Sequence, residues 1–509
     1  MNILRGNVKM VKSFLLGTAA GFVAVSSVQA ADLPAKAQAV QYVKICSLYG
    51  EGFYSIPGTE TCVRFGGYVR ADYGYNVAGG RTPLYSGAQG AQDRTVGLYS
   101  TRHRGNLQLD TRTQTDYGVL RTLESVHIQS ETESGVTVTL ARAVVQWAGF
   151  TFGHSRSLSD TFGLEASWHP AAQQNHADTG ANGVNMASYT FQLGNGVMFN
   201  VGIEERRSKA VANLSVANTL RVGADPVNSQ AGQSWPDPQM MFRIEQDWGY
   251  WSAAVAGHNV AATYYAGPGT GPFAGTVCLG AQAGTTQCGH PNDKVGWTIM
   301  QGGELKLPFI APGDRAGYFF HYGRGATGYS GGNTLGSADL FGSGNKLALG
   351  WIDDGVFVNG SRIELTTAWT AAAAFEHNWS PTWRSDLTGA YTAISYSPTA
   401  KTYFSDVGGC TPAGINHGAT KSSNVTLTNC NPDWQFFQGG LATWWAPIDL
   451  LQFGAEVVYT RVFTAFAGSG AINANAPGAR PTGAYNMKNE DSWAFIFRIQ
   501  RSYNTRDRT

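Results

Sequence analysis

Charge is scarce in this chain: Asp, Glu, Lys and Arg make up 14% of its 509 residues, against about 25% in ordinary soluble domains. Beyond residue 30 no apolar run approaches the roughly 20 residues of a spanning helix, which excludes a helical membrane protein. No block of basic residues stands out. Nucleic acid, which needs a clustered basic face, is therefore not an expected partner. No Cys-x-x-Cys occurs, and His169 and His176 lack metal-ligand spacing on a helix, with Pro170 between them. No metal site and no cofactor are expected. Gly328-Tyr329-Ser330-Gly331-Gly332 fits G-x-S-x-G but lies in a Gly-rich loop rather than the strand-turn-helix of a nucleophile elbow, so no enzyme activity is inferred.

What the chain has instead is glycine, 64 residues, and 12% aromatics, a composition of many strands joined by loose loops. Near the C-terminus Trp493, Phe495, Phe497 and Ile499 alternate with Arg498, Gln500 and Ser502. An apolar face and a polar face on one strand suit a closed sheet with lipid outside and water inside. At the other end Arg5, Lys9 and Lys12 precede the apolar stretch Phe14 to Val25 and the small-x-small triplet Val28-Gln29-Ala30. Residues 1–30 therefore read as a secretory signal, too short for an anchor across about 30 Å of hydrocarbon. Its removal takes the formal charge from +1 to −2, with 33 basic and 35 acidic residues left.

Short turn signals alternate with long polar stretches, the asymmetry of a barrel with tight turns at one end and large loops at the other. Seven tight turns are expected at 114–118, 148–150, 194–196, 247–249, 308–314, 380–382 and 446–449. Fourteen strands follow, and an opening strand at 63–75 with a closing strand at 492–503 makes about 16. Residues 346–358 read either as loop or as an extra strand pair. The expected fold is all-β, a transmembrane antiparallel β-barrel over 63–503. A segment over 31–62 leads into it, and a polar tail, 504–509, follows it.

Period-2 alternation marks several strands. Val63, Phe65, Val69, Ala71 and Tyr73 oppose Arg64, Tyr68, Arg70 and Asp72, while Leu107 and Leu109 oppose Asn106, Gln108, Asp110 and Arg112. Tyr73, Tyr459, Trp493 and Phe495 are candidates for aromatic bands at the bilayer interfaces. Glu124 breaks the pattern by falling on the side of Leu120, Thr122 and Val126. It sits at an interface or a subunit contact, or the register is wrong there. The cysteines form three local pairs, Cys46 with Cys62, Cys278 with Cys288, and Cys410 with Cys430, which in an oxidising compartment read as disulfides.

The block Tyr42-Val43-Lys44-Ile45-Cys46 through Ile56-Pro57-Gly58-Thr59-Glu60-Thr61-Cys62 and on to Gly67-Tyr68-Val69-Arg70 resembles the start of the general porins of alphaproteobacteria. Arg142-Ala143-Val144-Val145-Gln146-Trp147 through Gly153, Ala311-Pro312-Gly313-Asp314, Glu376-His377-Asn378-Trp379-Ser380-Pro381 and Cys430-Asn431-Pro432-Asp433 continue the resemblance in order. It departs at His154, where that family commonly has Arg, and at the residues after Tyr503.

The resemblance implies a sixteen-stranded barrel, usually trimeric, whose third outer loop folds into the lumen as a constriction. It also implies passive diffusion of ions and small hydrophilic solutes through a bacterial outer membrane, with lipid and lipopolysaccharide around the barrel. A substrate-specific channel for sugars or anions, or a non-conducting adhesin, are the alternatives. The constriction loop is expected at 155–184 with Asp160, Glu165 and Asp178, facing a basic wall of Arg64, Arg70, Arg112, Arg121 and Arg142. Two unit charges about 8 Å apart interact by roughly 2 kcal/mol at an effective dielectric near 20, enough to orient a dipolar solute. The alternative for these residues is plain solvated surface. His154, His169 and His176 are candidates for a conductance response near pH 6.5.

Overall fold

The computed structural model describes residues 45–503 apart from 87–89, 164–167, 172–177, 181, 217–224, 281, 333, 406–425, 428–429, 467–469, 475–479 and 481–482. The expected signal segment 1–30, residues 31–44 and the tail 504–509 lie outside the described residues. Among those described, sixteen antiparallel strands form one closed sheet. They are β1 (Thr61–Tyr75), β2 (Tyr99–Thr115), β3 (Gly118–Glu131), β4 (Gly135–Trp147), β5 (Phe150–Ser155), β6 (Val184–Gly194), β7 (Val197–Glu204) and β8 (Asp237–Gln246). The second half comprises β9 (Gly249–Val260), β10 (Lys294–Lys306), β11 (Arg315–Arg324), β12 (Thr367–Ser380), β13 (Trp383–Ser395), β14 (Trp434–Ile448), β15 (Leu451–Phe463) and β16 (Glu490–Ser502). Each pairs with its neighbours in sequence. β1 meets β16 from Tyr68↔Ser502 to Tyr75↔Phe495, which closes the ring and leaves no edge.

All seven expected turns join paired strands. Their chemistry explains their tightness: Ala148 and Gly149 have φ of 50° and 88°, and Asn195 and Gly196 have 51° and 72°. Two successive positive-φ residues give the hairpin geometry whose twist matches that of the flanking strands. The Cys46–Cys62 disulfide, with Cα atoms 6.1 Å apart, ties the N-terminal segment to the start of β1, where Tyr54–Ser55 adds a short strand.

The ring's outer face is apolar. Phe65, Leu107, Phe152, Val255, Leu387, Leu441 and Phe495 are exposed on it. Aromatic rings gather at both ends: Trp383, Trp445 and Phe453 stack near the turns, and Tyr459 and Trp493 lie 4.9 Å apart near the loops. Glu124 is exposed on this outer face between Leu109 and Ala143. The register is sound, because Arg121, Ser125 and His127 of the same strand line the interior cavity.

The interior is not uniformly wet. At the loop end of β12 to β15 the inward side chains Ala368, Ile394, Trp434, Phe436 and Val462 are apolar and buried. The loops explain this. Ala210–Asn213 pairs in parallel with Asp353–Phe357, and Ala338–Phe341 pairs with Lys346–Gly350, which meets Gly483–Met487. These small sheets bring Trp351, Val356 and Phe466 onto the inward wall residues as one dry core. Residues 346–358 thus belong to a folded cap, not to the barrel.

Candidate pore constriction

Residues 156–183 join β5 to β6, and the described ones among them contact inward side chains of the ring. Ser157 Oγ and Leu158 N both donate to Glu204 of β7, each at 2.7 Å. Ser252 Oγ of β9 donates to Thr161 O at 2.9 Å, and Thr161 Oγ1 lies 3.0 Å from His321 Nε2 of β11. Hydroxyls and carboxylates near the backbone thus replace the ladder bonds that a loop lacks. Phe162 and Trp168 then pack edge-to-face, centroids 5.6 Å apart, against Phe319, Ala372, Ala374 and Ala390. Gly317 makes room for them: a Cβ there would lie 2.2 Å from the Phe162 ring.

The loop reaches the far wall. Arg498 Nη2 of β16 donates to Pro170 O at 2.7 Å, and Ala171 N donates to Glu456 of β15 at 2.6 Å. On its return Thr179 N donates to both Asp160 oxygens at 3.0 Å, and Arg142 Nη2 donates to Gly180 O at 2.6 Å. The loop therefore lines one side of the lumen and leaves an opening between its return leg and β1 to β4.

A cavity of ≈ 1150 Å³ occupies that opening and extends to the turn end. Of the five arginines expected on the basic wall, Arg70, Arg121 and Arg142 line it. Arg64 and Arg112 turn instead to the N-terminal segment, 5.2 and 4.8 Å from the Phe53 ring centre. With Arg121 they converge on Asp110, at 3.6, 3.1 and 3.0 Å. Among the loop acids Asp178 borders the cavity. Asp160 is folded into the loop beside Arg207, 3.4 Å away. Burial raises its carboxyl above the usual range against the pull of Arg207, and repulsion from Asp178 adds to the rise. Glu165 and His176 lie outside the described residues.

Sequence reasoning missed Arg81, Arg104 and Arg156, which also line the cavity. Arg104 was within reach of the alternation, two inward positions before Gln108 on β2. Arg81 and Arg156 sit in loops that carry no such signal. Nearer the turn end the charges are matched: Arg315 contacts Glu304 and Glu376 at 3.3 and 2.9 Å, and Arg384 contacts Glu376 at 3.2 Å. His154 and His169 are both involved in the loop, with His154 Nδ1 2.9 Å from Asn185 Oδ1 and His169 bordering the cavity. Ser330 is buried, its Oγ donating to Ala326 O at 3.1 Å. Cys278 and Cys288 are bonded, Cys430 is disulfide-bonded, and Cys410 lies outside the described residues.

A closed sixteen-stranded sheet with an apolar, aromatic-rimmed exterior, and a charged interior narrowed by an inward loop, defines a channel-type transmembrane β-barrel. Residues 31–496 match the family model of the porin subfamily. The chain belongs to that family and is a bacterial outer-membrane protein. It is 34% identical over 210 residues to Porin Omp2b of Brucella suis biovar 1 (strain 1330), covering 38% of this chain and 54% of the relative. With Porin Omp2b of Brucella melitensis biotype 1 the identity is 33% over the same length. The chain thus spans about half the length of the curated relatives it matches. The outer membrane channel DcaP of Acinetobacter baumannii shares the fold, with a TM-score of 0.53 at 15% identity over 88% of this chain and 99% of that one.

Proposed function

We propose that the protein is a passive diffusion channel for ions and small hydrophilic solutes across the outer membrane. The observation that carries this reading is the charged cavity bounded by the inward loop on one side and by Arg70, Arg104 and Arg142 on the other. A passage of this kind sorts solutes by size and by the field across its narrow section and needs no covalent step. The absence of catalysis belongs to the same reading.

A homotrimer embedded in lipid and lipopolysaccharide is the proposed assembly. The outer face of β1 to β3 supports it. There Thr61 pairs with Thr113 at 2.8 Å, Thr111 with Thr122 at 2.5 Å, and Glu124 is exposed. Such groups suit a neighbouring subunit better than hydrocarbon, where an unpaired carboxylate is costly. The test of the channel reading is reconstitution of the purified protein in planar bilayers. Discrete conductance steps are expected, and their absence from correctly folded protein refutes it.

A further inference from the structure

The register of β1 to β4 stacks arginines along one wall. Arg70 pairs with Arg104, Ser125 with Arg142, and Arg112 with Arg121. Arg104 and Arg112 are both inward positions of β2, and Arg142 lies at the level of Gln108 between them. Four residues of strand span about 13 Å, so the rungs recur at about that spacing. Across these four strands seven arginines stand against three inward carboxylates, Asp72, Asp110 and Glu131.

The carboxylates are not spread evenly. Asp72 accepts from Arg102 at 2.9 Å and from Arg498 at 2.6 Å, and Asp110 serves the three arginines at the turn end. At mid-height Arg70 and Arg104 have amide oxygens as acceptors. Arg70 Nε donates to Gln500 Oε1 at 2.8 Å, Arg104 Nε to Gln129 Oε1 at 2.7 Å, and Arg142 Nη2 to a backbone carbonyl. Arg104 Nε and Nη2 both donate to the one Gln129 oxygen; an amide oxygen fixes a guanidinium without cancelling its charge, which stays available to an oxyanion in the cavity.

Two independent observations agree. Arg102 Nη1 and Arg498 Nη1 are buried with no acceptor among the described residues. Burial chiefly, and then repulsion from Arg102, Arg104 and Arg498, presses Arg81 well below the ordinary guanidinium value. Of the loop acids, Asp160 is engaged by Arg207 and Thr179, and Asp178 is the described one that borders the cavity.

We propose that this wall makes the constriction anion-selective and that Arg70 and Arg104 form a seat for small oxyanions, carboxylates or phosphate. The inference rests on the channel reading and names the solute class that the channel favours. Anions pass from the seat to Arg142 and then to the cluster around Asp110, a graded path toward the turn end.

The test uses the full-length purified protein in planar bilayers. Under a KCl gradient the reversal potential has the sign of chloride preference, with a permeability ratio on the order of threefold or more, since each thermal-energy unit of potential changes local concentration by about that factor. Inorganic phosphate and succinate, added separately at constant ionic strength, reduce chloride conductance saturably, and block by either supports the seat. Conductance steps with no preference or a cation preference, or linear behaviour with both oxyanions, overturn the inference while leaving the channel reading intact. No conductance at all refutes the channel itself. In Arg70→Gln/Arg104→Gln the block is lost and the ratio falls. Arg70→Lys/Arg104→Lys keeps the ratio and weakens the block, because a point charge lacks the fork. Unchanged block in the folded glutamine variant overturns the seat, and if that variant does not fold, the wild-type currents decide.

Discussion

Cutting Phe162 back to alanine tests how the inward loop is held. The ring is 2% exposed and seated with Trp168 on Phe319 and the small residues of β12 and β13. Removing a buried phenylalanine costs about 3–5 kcal/mol, which raises the undocked population of the loop by roughly two to three and a half orders of magnitude. The remaining hydrogen bonds to Glu204, Glu456 and Arg498 involve charged groups worth about 1.5–3 kcal/mol each, so the loop stays docked most of the time but opens measurably. Gly317→Ala makes the opposite volume change at the same joint, placing a Cβ 2.2 and 2.3 Å from two atoms of the Phe162 ring, and overpacking of this kind costs about 1–3 kcal/mol. Neither change touches the strand ladder, so both variants keep the heat-modifiable gel mobility of a folded barrel. Single-channel recordings of both show added open-channel noise and brief larger openings, stronger in Phe162→Ala, and liposome swelling shows entry of larger neutral sugars. Folded variants with the parent's noise, conductance and size limit refute the idea that this pocket holds the loop.

On the proposed trimer, replacing Glu124 by Leu takes a charged hydrogen-bonding group, worth about 1.5–3 kcal/mol, from the face assigned to the neighbouring subunit; semi-native electrophoresis then shows the oligomer dissociating at lower temperature, and an unchanged temperature counts against a subunit on that face. In the cap, burial pushes Asp353 up to about 7, against hydrogen bonds from Thr366 and Tyr396 and with repulsion from Asp354. The folded carboxyl binds its proton more tightly than the unfolded one, so this stabilisation is complete below about pH 4 and fades as pH rises to about 7; limited proteolysis of the outer loops is slower at pH 5 than at pH 8, and Asp353→Asn flattens the difference. Replacing Cys46 and Cys62 by Ser, 16 residues apart, removes about 3 kcal/mol of loop restraint; mass spectrometry after protease treatment shows cleavage within residues 45–60 while the barrel stays intact.

The strands were legible because their information is local. Alternation along 63–75 already separates Arg64, Tyr68 and Arg70 from Val63, Phe65 and Val69, and two-residue turns announce themselves by Gly and Asn. The route of the inward loop was not, since its anchors are Pro170 with Arg498 and Ala171 with Glu456, partners hundreds of residues away with no shared periodicity. The cap escaped for the same reason: Trp434 Nε1 at the start of β14 donates to Trp351 O across 83 residues, joining a barrel strand to a distant loop with which it shares no periodicity. Arg64 and Arg112 faced inward as the alternation requires, but nothing in their own strands foretold that the Phe53 segment folds over them. Of the wall, Arg104 was the avoidable omission and Arg81 the unavoidable one.

The far anchor of the inward loop bears on biogenesis. Its landing points, Glu456 and Arg498, belong to the last two strands, whereas the loop itself leaves the fifth. A nascent barrel that has laid down only its first fourteen strands already offers the loop Glu204, Ser252 and the Phe162 pocket but lacks its far landing points, so the segment is held across the lumen only once the final hairpin is in place. Sealing of the wall and completion of the loop's far mooring thus draw on the same two strands.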